Sequence, residues 1–174
     1  NLLKDFRGAP LQKRLKKGFT YSDCWVEDAR LVSLTARDAK ERGADIRVQT
    51  ECVGIERSGD SWTLQLQGQG GEVTEQAKVL INAAGPWVDP VTALYDHGSN
   101  AAKLRLVKGS HIVIARKFEG DHSYIFQNKD GRIVFAIPYE GDYTLIGTTD
   151  QPWSYEEGPA QISDGEIDYL CAAA

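Results

Sequence analysis

One histidine of this chain stands where a general base could work. His111 follows Lys108, Gly109 and Ser110 and opens the β-type run HIVIA, which puts an imidazole on a rigid strand with a cation close in sequence. Imidazole exchanges protons near neutrality, so it suits removal of a hydroxyl proton. The same pattern fits a half-buried histidine bonded to backbone, and the residues alone leave both readings open. A second cluster, Ile146-Gly147-Thr148-Thr149-Asp150, ends a strand with a glycine, two hydroxyls and a carboxylate. It fits the rim of a polar pocket and, equally, an ordinary turn or cap. The third is VLINAAGPWVD, residues 79–89, where an apolar run meets Ala83, Ala84, Gly85, Pro86 and Trp87. Glycine lets backbone approach a flat ligand, proline suits the first turn of a helix, and the helix-opening amides face anionic or electron-rich groups. A tight strand-to-helix turn with no ligand is the competing reading.

Other chemistries find less support. Arg105, Lys108 and Arg132 are candidate anion contacts, though scattered basic residues usually face solvent. His97 and His122 lie in polar turns. No acidic residue and histidine share a metal-ligand spacing, and no serine sits in a nucleophile elbow. The glycines of GQGG, residues 68–71, lack the GxGxxG spacing and read as a hairpin turn.

With 174 residues, 41% of them hydrophobic, the chain is long enough for one ordinary domain or two small lobes. Six basic residues against Asp5 make the first seventeen residues basic, while the whole carries −5. An acidic body speaks against a nucleic-acid partner. The basic segment reads as a solvated arm, with contact to an anionic membrane surface as the alternative. Cys24, Cys52 and Cys171 show no CxxC spacing, which favours a reducing, cytoplasmic setting. Asn1 opens the chain and methionine is absent, so an internal piece of a longer protein is expected.

The elements that must position these residues follow from periodicity. Residues 19–25 read as a short strand or extended entry. Ala29, Val32, Ala36 and Ala39 recur at helical spacing before Gly43, predicting a helix over 27–42, and Ile46 and Val48 alternate as a strand. CVGIER, WTLQLQ and a third run ending in KVLINAAG predict a three-stranded meander with Trp62, Leu64 and Leu66 on its core face. Beyond residue 100 four β-type runs predict a largely antiparallel sheet, followed by a Pro- and Gly-interrupted loop over 151–161. Ser163 and Glu166 have capping-box order ahead of a final helix. The fold class is thus mixed α/β, with divisions at 1–17, 18–99, 100–162 and 163–174 and a crossing near Ser99-Asn100.

In this order and at these separations, GFTYSDCWVEDARLV, INAAGPWVD, RLVKGSHIVI and IGTTD resemble the middle of the FAD-dependent respiratory glycerol-3-phosphate dehydrogenases, over roughly residues 18–170. The AAGPW turn is shared with the wider flavin amine and amino-acid oxidases; YSDCWV with ARL, KGSH and GTTD are more specific. The resemblance implies oxidation of sn-glycerol 3-phosphate to dihydroxyacetone phosphate, hydride passing to FAD and electrons to membrane quinone. It implies His111 as the general base. It implies that Ala83, Ala84, Gly85, Pro86 and Trp87 approach FAD and that Cys52 lies where backbone meets the adenine. Lys108, Thr148, Thr149 and Asp150 would bind or support substrate.

Residues 18–99 would be part of an FAD-binding α/β lobe, and 100–162 an antiparallel β substrate lobe. Partners implied are glycerol 3-phosphate, quinone, a peripheral membrane surface at the inner face of the cell membrane and a second copy in a homodimer. The GxGxxG that binds the FAD pyrophosphate is absent here, so this span by itself is expected neither to retain FAD nor to turn over substrate. An amine or amino-acid oxidase, and a non-catalytic docking module, are the rival readings.

Overall fold

A computed structural model describes residues 2–98 and 104–174; the expected crossing at Ser99-Asn100 lies outside the described residues. The chain forms two compact units, one of Tyr21–Leu104 and one of Asn1–Thr20 with Arg105–Ala174.

In the first unit, helix α1 (Asp28–Glu41) starts where Glu27 accepts a hydrogen bond from the Arg30 amide at 3.1 Å. Gly43, at φ 98°, follows its end. Exposed i,i+4 ion pairs Arg37–Glu41 and Arg42–Asp38 run along it. Its predicted apolar stripe is covered only in part: Ala36 and Ala39 are half-buried, while Ala29 is exposed and Val32 is 67% exposed. The meander forms as predicted: β1 (Glu51–Ser58), β2 (Ser61–Gly68) and β3 (Gly71–Ala77) pair antiparallel in order. Ser58 pairs with Ser61 across Gly59, whose φ of 60° is what a tight hairpin asks of its first central residue. Gly68 pairs with Gly71, so GQGG is a hairpin turn. Among the described residues of this unit Ile55, opposite Leu64, is the buried apolar one, and Trp62 packs edge-on against Tyr95 at 5.6 Å.

Two expected strands are corrected. Residues 46–49 and 79–82 take no strand, because a strand exists only where a neighbour accepts its hydrogen bonds, and none among the described residues pairs with them; residues 19–25, read as a short strand or an extended entry, likewise take no strand. The third meander strand therefore stops at Ala77, and Ile81 is 81% exposed.

The second unit is built on four antiparallel strands in the order β5 (His111–Ala115), β8 (Tyr143–Gly147), β7 (Ile133–Tyr139) and β6 (Tyr124–Gln127). A short ladder joins β4 (Val107–Lys108) to β9 (Gln151–Pro152). Alternation gives the sheet two faces. Ile112, Ile114, Val134, Ala136 and Ile146 face helix α3 (Asp164–Ala173), whose Leu170 is fully buried among them. His111, Val113, Phe135, Ile137 and Leu145 take the other face.

The basic N-terminal segment is anchored as well as solvated. Of two 3-10 turns, Leu2–Lys4 and Phe6–Gly8, the second is tied down by the Tyr124 hydroxyl, which donates to the Arg7 carbonyl at 2.6 Å. Phe6 meets His122 edge-on within the Phe118–His122–Tyr124 ring cluster. His122, expected in a polar turn, is half-buried there; burial, then the charge of Arg7, lowers its pKa.

Candidate functional site

In the Tyr21–Leu104 unit the elbow forms without its expected strand. Asn82 organises it: its side-chain amide donates to the Val88 carbonyl at 3.0 Å and the Thr92 hydroxyl at 3.2 Å, while its oxygen accepts from the Ala84 amide at 3.2 Å. A 3-10 turn over Gly85–Trp87 then leads into the short helix α2 (Val88–Ala93). Gly85 has φ 55°, and nothing lies within 4 Å of where a Cβ would stand. Ala83, Gly85, Pro86 and Trp87 are exposed, Ala84 half-buried. Around Ala83 and Gly85 the backbone is exposed and carries little side chain, and Asn82 pins it, an arrangement compatible with the approach of a planar ring such as a flavin. Cys52, half-buried in β1 beside a bulge between Cys52 and Gly54, turns its thiol toward the Gly54 carbonyl. All three cysteines are free thiols.

The second unit gathers the other sequence candidates. His111 pairs with Gly147, which pairs on its far side with Phe135. The imidazole lies flat over Gly147: a Cβ there would collide with the ring's Cδ2, Cγ and Nε2. The histidine is exposed on the apolar sheet face, with Val113, Leu145 and Ile137 beyond it. Gly109 permits an equally close approach, because a Cβ there would strike the Thr148 hydroxyl.

Behind the sheet the same two strand ends are clamped by Glu166, which is 3% exposed. Its Oε1 accepts from the Ser110 hydroxyl at 2.9 Å and the Thr149 hydroxyl at 2.7 Å. Its Oε2 accepts from the Lys108 ammonium at 2.8 Å and from the Ser163 amide and hydroxyl, each at 2.9 Å. The Thr149 hydroxyl in turn accepts from the Ser110 amide at 2.8 Å. Burial by itself raises the Glu166 carboxyl; hydrogen bonds from Lys108, Thr149, Ser163 and Ser110 outweigh it and hold the group well below the usual carboxylate range. Among the described residues no buried side-chain nitrogen or oxygen lacks a partner.

Of the sequence candidates, the fold brings Lys108 and Thr149 together on Glu166, while His111 projects from the opposite face of the same strand ends, Thr148 lies against Gly109 and Asp150 is exposed next in the chain. The second Lys108 partner is the Gln161 carbonyl at 2.6 Å. Arg132 lies elsewhere, paired with Asp130 at 2.6 Å and stacked over the Tyr169 ring at 3.7 Å. Sequence reasoning names Ser110 and Gly147 only as members of their runs, without a role of their own, and misses Asn82; the Ser163-to-Glu166 spacing marks the glutamate only as a helix cap.

The profile of the FAD dependent oxidoreductase (DAO) family matches residues 3–174. The chain belongs to that family. Its relatives include a glycerol-3-phosphate dehydrogenase of Pseudomonas tolaasii, 43% identical over 97% of this chain and 33% of that protein. A D-erythritol 1-phosphate dehydrogenase of Brucella abortus is 41% identical over 99% of this chain and 35% of its own length. The aerobic glycerol-3-phosphate dehydrogenase of Escherichia coli is 38% identical over 92% and 32%. The chain therefore spans about a third of the curated relatives it matches. Among its described residues no helix is long and apolar enough to cross a membrane.

Proposed function

We propose that this chain belongs to an enzyme that oxidises sn-glycerol 3-phosphate to dihydroxyacetone phosphate, with His111 as the general base. The observation that carries the reading is the His111 imidazole laid over Gly147 at a strand end, exposed on an apolar sheet face. There it can take the C2 hydroxyl proton while the apolar floor limits water around the reacting carbon. FAD, when bound, supplies the two-electron acceptor for the hydride that leaves C2. Ala83, Ala84, Gly85, Pro86 and Trp87 would hold its ring system, and Cys52 backbone its adenine.

Thr148 and Asp150 form the polar rim for substrate. Lys108 and Thr149 shape that rim through Glu166, since their polar atoms already serve it. Electrons go on to a membrane quinone, in a homodimer held peripherally at the inner membrane face. Three relatives named for glycerol 3-phosphate support the substrate. The relative named for D-erythritol 1-phosphate favours, as a second reading, a longer phosphorylated polyol.

The test is anaerobic mixing of the full-length flavoprotein with each substrate, read by loss of flavin absorbance. Glycerol 3-phosphate should reduce the flavin, and His111→Ala should slow that reduction by about 100-fold or more. Reduction by D-erythritol 1-phosphate alone moves the assignment to the longer polyol. Reduction by glycine or sarcosine alone makes the protein an amine or amino-acid oxidase. No reduction by any of them leaves a docking module, and an unslowed His111→Ala refutes the base.

A further inference from the structure

We infer that Glu166 is the positioning residue for His111, holding the imidazole over Gly147 from behind the sheet. The inference deepens the reading of His111 as base and rests on it. Strand alternation puts Ser110 on the α3 side and His111 on the opposite face, so whatever fixes Ser110 fixes the backbone from which the imidazole projects. Gly147, the floor beneath the ring, is two residues from Thr149. The same carboxylate oxygen that binds the Ser110 hydroxyl binds the Thr149 hydroxyl. Ser110 and Thr149 are also cross-tied directly, amide to hydroxyl at 2.8 Å and amide to carbonyl at 3.3 Å. One buried anion thus joins the root of the imidazole to the root of its floor.

Glu166 is itself immobilised. It is the third residue of a capping box on α3, with Ser163 bonding it and being bonded by it, and Lys108 neutralises its charge. Burial of Ser110, Thr149 and Glu166 excludes competing water, and such buried, fully satisfied networks specify one geometry. A carboxylate that served only as a helix cap would need neither the lysine nor the two strand-end hydroxyls.

Glu166→Gln tests this in the full-length flavoprotein. The introduced amide can still accept from Ser110 and Thr149 at its carbonyl, but its NH2 faces the Lys108 ammonium and the Ser163 amide as donor against donor. The variant should keep its flavin, lose about 10- to 100-fold in kcat and change KM by less than about threefold, the signature of a misplaced group. The decisive readout is a double-mutant cycle. If Glu166 acts through His111, Glu166→Gln/His111→Ala is within about threefold of His111→Ala alone. If the two losses multiply, Glu166 acts independently and the inference is overturned.

A reaction-free arm separates this from the functional reading. Histidine-selective NMR should show a contact between the His111 ring and the Gly147 Hα that disappears in Glu166→Gln; its persistence overturns the inference whatever the activity. If His111→Ala turns over normally, the base assignment falls, while the NMR contact still decides the positioning. Ser110→Ala removes one bond to Glu166 and leaves its ion pair with Lys108. Should Glu166→Gln not fold, Ser110→Ala carries the same cycle and the same NMR contact, with a smaller loss of about 3- to 10-fold.

Discussion

Neutralising Glu166 should cost the unit of Asn1–Thr20 and Arg105–Ala174 much of its stability, and the loss should depend on pH. The carboxylate is 3% exposed and accepts five hydrogen bonds from Lys108, Ser110, Thr149 and Ser163. Breaking a buried pair by removing one partner costs roughly 3–5 kcal/mol, because the other charge stays behind uncompensated. Lys108 keeps the Gln161 carbonyl and is 16% exposed, which points to the low end, about 3 kcal/mol. With a urea m-value of about 1.5 kcal/mol/M, the midpoint of Glu166→Gln moves down by about 2 M.

The pH sign follows from linkage. The native carboxyl is held well below the unfolded value of roughly 4.3, so the stabilisation is fully present above that value. As pH falls below it, the unfolded chain takes up a proton that the native state refuses. The wild type then loses about 1.4 kcal/mol per pH unit from this group until native Glu166 protonates. Glu166→Gln lacks this dependence, so the two stability curves must converge on acidification. Lys108→Met/Glu166→Gln, which leaves no buried ammonium, should recover about half of the loss or more.

The assay is urea titration with pulse hydrogen exchange read on peptides from 105–174, at pH 7 and pH 3.5. A gap below about 0.5 kcal/mol at pH 7, the value expected of an ordinary surface change, would refute the reasoning. So would a gap of equal size at both pH values.

Two further outcomes follow from the glycines of the candidate sites. Gly147→Ala puts a methyl where the His111 ring lies, so the imidazole must shift by about 1 Å or more. Flavin reduction by glycerol 3-phosphate should slow by about 100-fold with flavin content unchanged, and an unslowed rate would separate that ring position from the chemistry. Gly85 has open space but φ 55°, so Gly85→Ala should cost about 1 kcal/mol in urea denaturation and Gly85→Asn less, since Asn tolerates the left-handed region. Both should weaken FAD binding by about tenfold in a reconstitution titration; equal retention by all three proteins would remove the elbow from the flavin contact.

What the sequence disclosed depended on the range of the forces involved. The His111 strand, the meander and the Ser163 cap were legible because alternation, hairpin glycines and capping order are local. Runs such as 46–49 and 79–82 carry strand-like residues, yet the ladder partner that makes a strand lies outside any local window, and among the described residues none pairs. The second role of Glu166 was hidden for a related reason. Its partner Lys108 is 58 residues away, and a capping-box glutamate ordinarily serves only its own helix end. Gly147 read as a strand-exit glycine, because only three-dimensional pairing shows that a ring from another strand occupies its missing side chain.

Since the α3 cap is also the counter-ion of a lysine far upstream, helix α3 is no detachable appendage. Any shortened version of this polypeptide cut ahead of Asp164 would keep every described strand yet strip the carboxylate from Lys108, Ser110 and Thr149 at one stroke. Dissection of the protein into smaller pieces should therefore place its boundary beyond Ala173, however dispensable α3 looks on a linear map.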